Sequence, residues 1–205
     1  MSQTITELRY KNLLRDEKGI SQRQRIEDIL EITYDGKNAT STIVYDNHIT
    51  SSTIIDTLLC GQQYNVLFYD KGFIQAEFRV KSNEVVEERL VFMKKHNRLW
   101  DTKEIEEYES NDQDWFAEED GVPIMLRIDY APSDHKEGDH TATHLTISNH
   151  ESCRIPIKGI VTFSEFVRFI LLHFYDIKLE LPIYRSNSDD TITDLERKMI
   201  HMNWN

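Results

Sequence analysis

The order of apolar and polar positions divides the chain into a helical start, a sheet-forming middle and a helical end. Thr4-Ile5-Thr6-Glu7 and Ser21-Gln22-Arg23-Gln24 each have the form of a capping box, in which side chain and backbone satisfy one another's free N–H groups. After the second box, Ile26, Ile29 and Leu30 share one face and Asp35-Gly36 stops the run. This spacing predicts helices over about 5–16 and 22–34. Residues 37–50 carry no clear period, with Ile43-Val44-Tyr45 a candidate short strand. A short helix over about 51–60 should end at Gly61.

From Tyr64 the period becomes two. Tyr64 to Tyr69 reads as a strand, Asp70-Lys71-Gly72 as a hairpin turn, and Phe73 to Val80 as the returning strand, with Phe73, Ala76, Phe78 and Val80 its apolar members. Lys81-Ser82-Asn83 turns the chain again, and Val85 to Met93 is a third strand. The pattern resumes at Val122: Ile124, Leu126, Ile128 and Tyr130 point one way, and Met125, Arg127 and Asp129 the other. After a polar loop, Thr143–Ser148 and Ser152–Ile157 form two more strands around Asn149-His150-Glu151. Thr162-Phe163-Ser164-Glu165 is a third capping box, and the helix it opens is apolar around most of its circumference, so it should be the buried helix on the sheet. A polar linker, Tyr184 to Asp190, leads to a narrow apolar stripe of Ile192, Leu195, Met199 and Met202.

The expected fold is therefore α+β: an antiparallel meander of about five to six strands packed by a buried helix (162–176), with N-terminal helices and a C-terminal amphipathic helix. Residues 1–61 and 62–180 form one domain, and 181–205 a linker with the terminal helix.

Composition narrows the class. With 39% hydrophobic and 29% charged residues in 205, the chain can bury a core of ordinary size. No apolar run reaches the ~18 residues of a membrane span. Met1 to Tyr10 lacks the apolar stretch of a signal peptide. A cytoplasmic protein with its two cysteines, Cys60 and Cys153, as thiols is the expectation. The net charge of −12 is concentrated: Glu104 to Asp120 holds nine acids and no base, leaving 27 acids against 24 bases elsewhere. A near-neutral body is compatible with a nucleic-acid substrate, although no basic stripe advertises one. The acidic run reads as a solvated segment, or as a docking surface for a basic partner anchored by Trp115 and Phe116.

Chemistry enters through strand alternation. Arg127, Asp129, His144 and Arg154 fall on the sheet face opposite the apolar positions, and share it if their strands are neighbours. A histidine can move protons near neutral pH, Asp129 could orient it, and Arg127 and Arg154 could bind phosphate. The same pattern also describes the ordinary wet face of an antiparallel sheet, where such pairs only stabilise. The loop Asp134-His135-Lys136-Glu137-Gly138-Asp139-His140 is rich in histidine and carboxylate, but no spacing in it defines a metal site and no cysteine joins it. No metal or cofactor is assigned. Nucleotide-binding glycine loops and a Gly-x-Ser-x-Gly elbow are missing from the sequence. Cys153 should face the core, and His173, on the buried helix, reads as a satisfied core histidine.

Several of these segments together resemble an uncharacterised prokaryotic family, the domain of unknown function 2290. They are Tyr69 to Gln75 with Glu88 to Phe92, then His144 to Ser148 running through Cys153 to Ile157 into Phe166 to Leu171 and Phe174-Tyr175. Pro123 and Leu126 to Tyr130 fit the same pattern, while Lys71-Gly72 departs from the Gly-Ser found after the turn aspartate. The resemblance implies prokaryotic origin and no particular activity. Two functions stay open. One is an accessory subunit of a multi-protein assembly, of phage-defence or toxin–antitoxin type, contacting its partner through 104–120 or 191–205. The other is a toxin-like effector that processes nucleic acid with His144, Asp129, Arg127 and Arg154. The lack of a recognised catalytic motif favours the first.

Overall fold

A computed structural model describes residues 1–46, 48–95, 122–148, 150, 152–181 and 190–203. The acidic run 104–120 lies outside the described residues. The protein is α+β, with a mostly antiparallel sheet of ten strands among those described, not five or six. Helix α1 is Ser2–Tyr10, followed by β1 (Leu14–Glu17), β2 (Ile20–Gln24) and β3 (Leu30–Tyr34). A 3₁₀ segment, Ala39–Tyr45, precedes α2 (Ser51–Cys60). Next come β4 (Val66–Phe68), β5 (Phe73–Lys81), β6 (Glu84–Lys94), β7 (Ile124–Tyr130), β8 (Thr143–Ile147) and β9 (Ile155–Lys158). The chain closes with α3 (Phe163–Tyr175) and the two-residue β10 (Met202–Asn203). The sheet runs β1-β4-β5-β6-β7-β8-β9-β10, and the β2–β3 hairpin joins the far end of β5.

Both faces of the sheet are partly covered. On one, Leu90, Phe92, Leu126, Ile128 and Leu145 pack with α1 and with Phe163, Phe166, Val167, Ile170 and Leu171 of α3. Burying five such side chains contributes roughly 10 kcal/mol before entropy. The capping box at Thr162 is present in both directions and starts α3 where the pattern predicts. On the other face, Phe73, Val91, Met93 and Met125 pack under Ile54, Ile55 and Leu58 of α2 and Val44 of the 3₁₀ segment. This cover stops partway along the strands, and beyond it the face is polar.

Six further sequence expectations are corrected. Residues 22–34 form the β2–β3 hairpin, in register from Ile20↔Tyr34 to Gln24↔Leu30, in place of a helix. Glu27 and Asp28 turn it at φ 63° and 58°, and Ile26 is left 87% exposed. Helix α1 is shorter than 5–16, starts ahead of Thr4, and has no side-chain cap. The C-terminal amphipathic helix at 191–205 is a short 3₁₀ turn, Glu196–Lys198, followed by β10, which pairs in parallel with β9. Polar side chains explain this last change. Thr191 Oγ1 donates to the Ile157 carbonyl and accepts from the Gly159 N–H, so the segment is tied to β9 in an extended path. His173 is exposed and packs on Phe169 (centroids 4.7 Å apart), not in the core, and Cys153 is half-buried. Ile43-Val44-Tyr45 belongs to the 3₁₀ segment and not to a strand.

Candidate functional site

The strand register builds the site directly. Glu77 of β5 lies opposite Arg89 of β6, Arg89 opposite Asp129 of β7, and Asp129 opposite His144 of β8. Four adjacent strands thus present a row of ionisable side chains on the half of the face that α2 leaves open. Around it lies a pocket of about 640 Å³. Arg127, Asp129, His144 and Arg154, the residues singled out by alternation, all line it. His140 and His150 join them from the loops, and Lys37 and Tyr45 from the β3–α2 connection.

His144 is 2% exposed. Its Nδ1 lies 3.0 Å from the Thr141 carbonyl. A carbonyl can only accept, so Nδ1 carries the proton and Nε2 keeps a lone pair. Burial pushes the imidazole below its usual titration range; Asp129, with Oδ2 3.8 Å from Nε2, pulls the other way but does not overcome it. The ring is therefore a neutral base near pH 7 whose conjugate acid has a carboxylate beside it. The Thr141 carbonyl fixes the tautomer, so Asp129 stabilises the imidazolium and does not orient the ring.

The same oxygen of Asp129 is also held by arginine. Arg127 Nε donates to its Oδ2 at 2.6 Å, and Arg127 Nη1 donates to the Val44 carbonyl at 3.2 Å. Arg127 thus joins the 3₁₀ segment to the sheet as well as holding the carboxylate. Arg89 does similar work: its Nη1 donates to Tyr45 Oη at 2.7 Å and its Nη2 to Glu77 Oε2 at 2.6 Å. Both guanidiniums lie against the Tyr45 ring, 5.1 Å and 4.8 Å from its centroid. Lys37 bridges Glu77 and Glu31 at 2.5 and 2.9 Å. The Arg154 guanidinium is different: it makes no hydrogen bond or ion pair with any described residue, and it faces the pocket half-buried.

His140 is one pocket residue that alternation did not reach. It sits at the end of the polar loop, closed by reciprocal backbone bonds with Lys136 at 2.8 Å, and its ring meets that of His144 edge-on with centroids 4.9 Å apart. The sequence offered a signal in the histidine-rich loop, which was weighed for metal ligation and assigned no metal. Among the described residues, no three histidine, cysteine or carboxylate side chains gather in a metal-binding arrangement. No helix among them is long and apolar enough to cross a membrane.

Arg89, Glu77, Lys37 and Tyr45 were also missed. The first two obey the same alternation on β5 and β6 and were legible there. Lys37 and Tyr45 arrive from across the sheet and carry no local signal. No curated protein and no solved structure matches the chain. A family model does, over residues 13–204, a span that includes every strand and every residue that lines the pocket. The chain belongs to the family of uncharacterised conserved proteins DUF2290.

Proposed function

We propose that the protein is an enzyme that processes a phosphate ester of the nucleotide or nucleic-acid class. The observation that carries this is the state of His144: a buried, neutral imidazole with its basic Nε2 free and a carboxylate 3.8 Å away, in the same pocket as the guanidinium of Arg154. An arginine that meets no partner among the described residues of a charged pocket suits an anionic ligand group, and phosphate matches its planar fork. His144 takes the proton from the attacking group, Asp129 stabilises the resulting imidazolium, and Arg154 holds the phosphate.

The test is turnover of RNA, DNA and nucleotide substrates by the purified full chain. His144→Gln should reduce the rate 100-fold or more, the usual worth of a general base. Arg154→Ala should raise KM at least tenfold. If both variants match the wild type, or if the wild type turns over nothing, the proposal fails.

A second reading has its own observation. Leu195, Met199 and Ile200 expose apolar side chains on the C-terminal arm, with Leu195 beside Gly138 of the histidine loop. This supports an accessory role in a multi-protein assembly, with the arm and the acidic run 104–120 as contact surfaces. Leu195→Asp with Ile200→Asp should then abolish co-purification of a partner while the pocket chemistry is untouched.

A further inference from the structure

We propose that His140 is the general acid that partners His144, and that the substrate is RNA, cleaved by its own 2′-hydroxyl. This rests on the phosphate-ester reading of the pocket and specifies it. Cleaving an internal RNA linkage requires one proton to be removed and another supplied at the same phosphorus. The two proton carriers must therefore be neighbours, alike in strength, and close to a cation that holds the phosphate. His140 and His144 touch edge-on at 4.9 Å between centroids, and Arg154 shares their pocket. The loop that delivers His140 is fixed at both ends. Its own Lys136–His140 backbone pair closes it, and His135 Nε2 lies 3.1 Å from Glu196, a fully buried carboxylate of the C-terminal arm.

The step balances without a co-reactant. The 2′-oxygen gives its proton to His144 Nε2 and bonds to phosphorus. The bond from phosphorus to the 5′-oxygen breaks, and that oxygen takes the proton from His140. The products are a 2′,3′-cyclic phosphate and a 5′-hydroxyl end. DNA lacks the nucleophile and is not a substrate for this step.

The two rings must share one proton. Burial lowers the proton affinity of both, and Arg154 lowers it further. Facing them, Asp129 of β7 raises it for both, and Asp134 and Asp139 of the loop raise it for His140. The singly protonated pair is thus most populated on the acid side of neutrality, and the rate should follow a bell with its maximum below about pH 6.5.

The experiment uses the full chain, an RNA oligonucleotide, its DNA counterpart, and an RNA carrying sulfur in place of the bridging 5′-oxygen. A thiolate leaves without needing a proton. His140→Gln should lose 100-fold or more on ordinary RNA, lose the alkaline limb of the bell, and recover to near the wild-type rate on the sulfur-bridged RNA. His144→Gln should not recover. A 2′,3′-cyclic end on the product completes the expected result. Equal cleavage of DNA, or an equal loss by His140→Gln on both RNAs, overturns this proposal and leaves the phosphate-ester reading standing. No cleavage of any nucleic acid or nucleotide overturns both.

Discussion

Asp70, Lys94 and Tyr175 show how single residues hold this fold from three distant parts of the chain. Lys94 Nζ lies 2.6 Å from Asp70 Oδ2, and Tyr175 Oη donates to Asp70 Oδ1 at 3.0 Å. Asp70 and Lys94 are both buried, so each charge depends on the other for compensation. Burial, reinforced by Asp70, pushes the Tyr175 phenol well above its ordinary range, so it remains a donor at every working pH. Gly72 makes the arrangement fit: a Cβ there would stand 2.3 Å from Tyr175 Oη. Gly72→Ala should therefore cost about 1–3 kcal/mol, the usual penalty for overpacking. The check is a urea midpoint. The residue-level logic of the pocket was more legible than this cluster. Alternation alone puts Arg127, Asp129 and His144 on one face, because the side-chain period of a strand is two whatever its partners. It cannot say that Arg127 is held by Asp129 and the Val44 carbonyl while the Arg154 guanidinium meets no partner among the described residues. That difference depends on the 3₁₀ segment crossing above, a contact more than 80 residues distant in sequence.

At the scale of elements, local signals succeeded where satisfying the backbone was a local matter. The capping box of α3 is the clearest case: Thr162 Oγ1 accepts from the Glu165 N–H, and Glu165 Oε2 accepts from the Thr162 N–H at 2.9 Å. Thr162→Ala should destabilise the protein by about 1 kcal/mol, read as a shift in thermal midpoint of a few degrees. The box at Ser21 has the same form and no helix. Its residues find partners across strands instead, with Ser21 opposite Thr33 and Gln22 opposite Ile32. Leu30, Ile32 and Tyr34 favour the pleat, and β5 is there to pair with Leu30–Ile32. The helical spacing of Ile26, Ile29 and Leu30 was real, but a pairing partner nearly 50 residues away outweighed it. The C-terminal arm tells the same story. Its apolar spacing suits a helix, yet Thr191 bonds to β9 and the buried Glu196 meets His135, and these contacts draw the arm along the sheet.

For the molecule as a whole, buried carboxylates set how stability follows pH, and two of them act in opposite senses. Glu31 is 1% exposed. Burial alone would raise its pKa, but hydrogen bonds and charge from Arg25 and Lys37 prevail and hold it down at about 2. The folded state therefore keeps the carboxylate where the unfolded chain, near ~4.3, would take up a proton. Its stabilisation is complete above that value and is lost as pH falls towards 2. Glu88 is 4% exposed and raised well above the ordinary carboxyl range, first by burial and then by repulsion from Glu165 and Asp129, with the Val161 N–H opposing weakly. Here the folded state holds the proton longer than the unfolded chain does. Glu88 is thus harmless at low pH, and its cost grows as pH rises above ~4.3. Difference curves separate the two. Glu31→Gln should lose about 2 kcal/mol at pH 7 and nothing near pH 2, because only the ionised form is held. Glu88→Gln should gain stability at pH 7 and match the wild type near pH 4. Urea midpoints taken at each pH for the three proteins read both effects. If the Glu88→Gln gain is the same at every pH, the cost belongs to the shape of the site and not to its charge, and the carboxyl cannot be the group that limits stability at neutral pH.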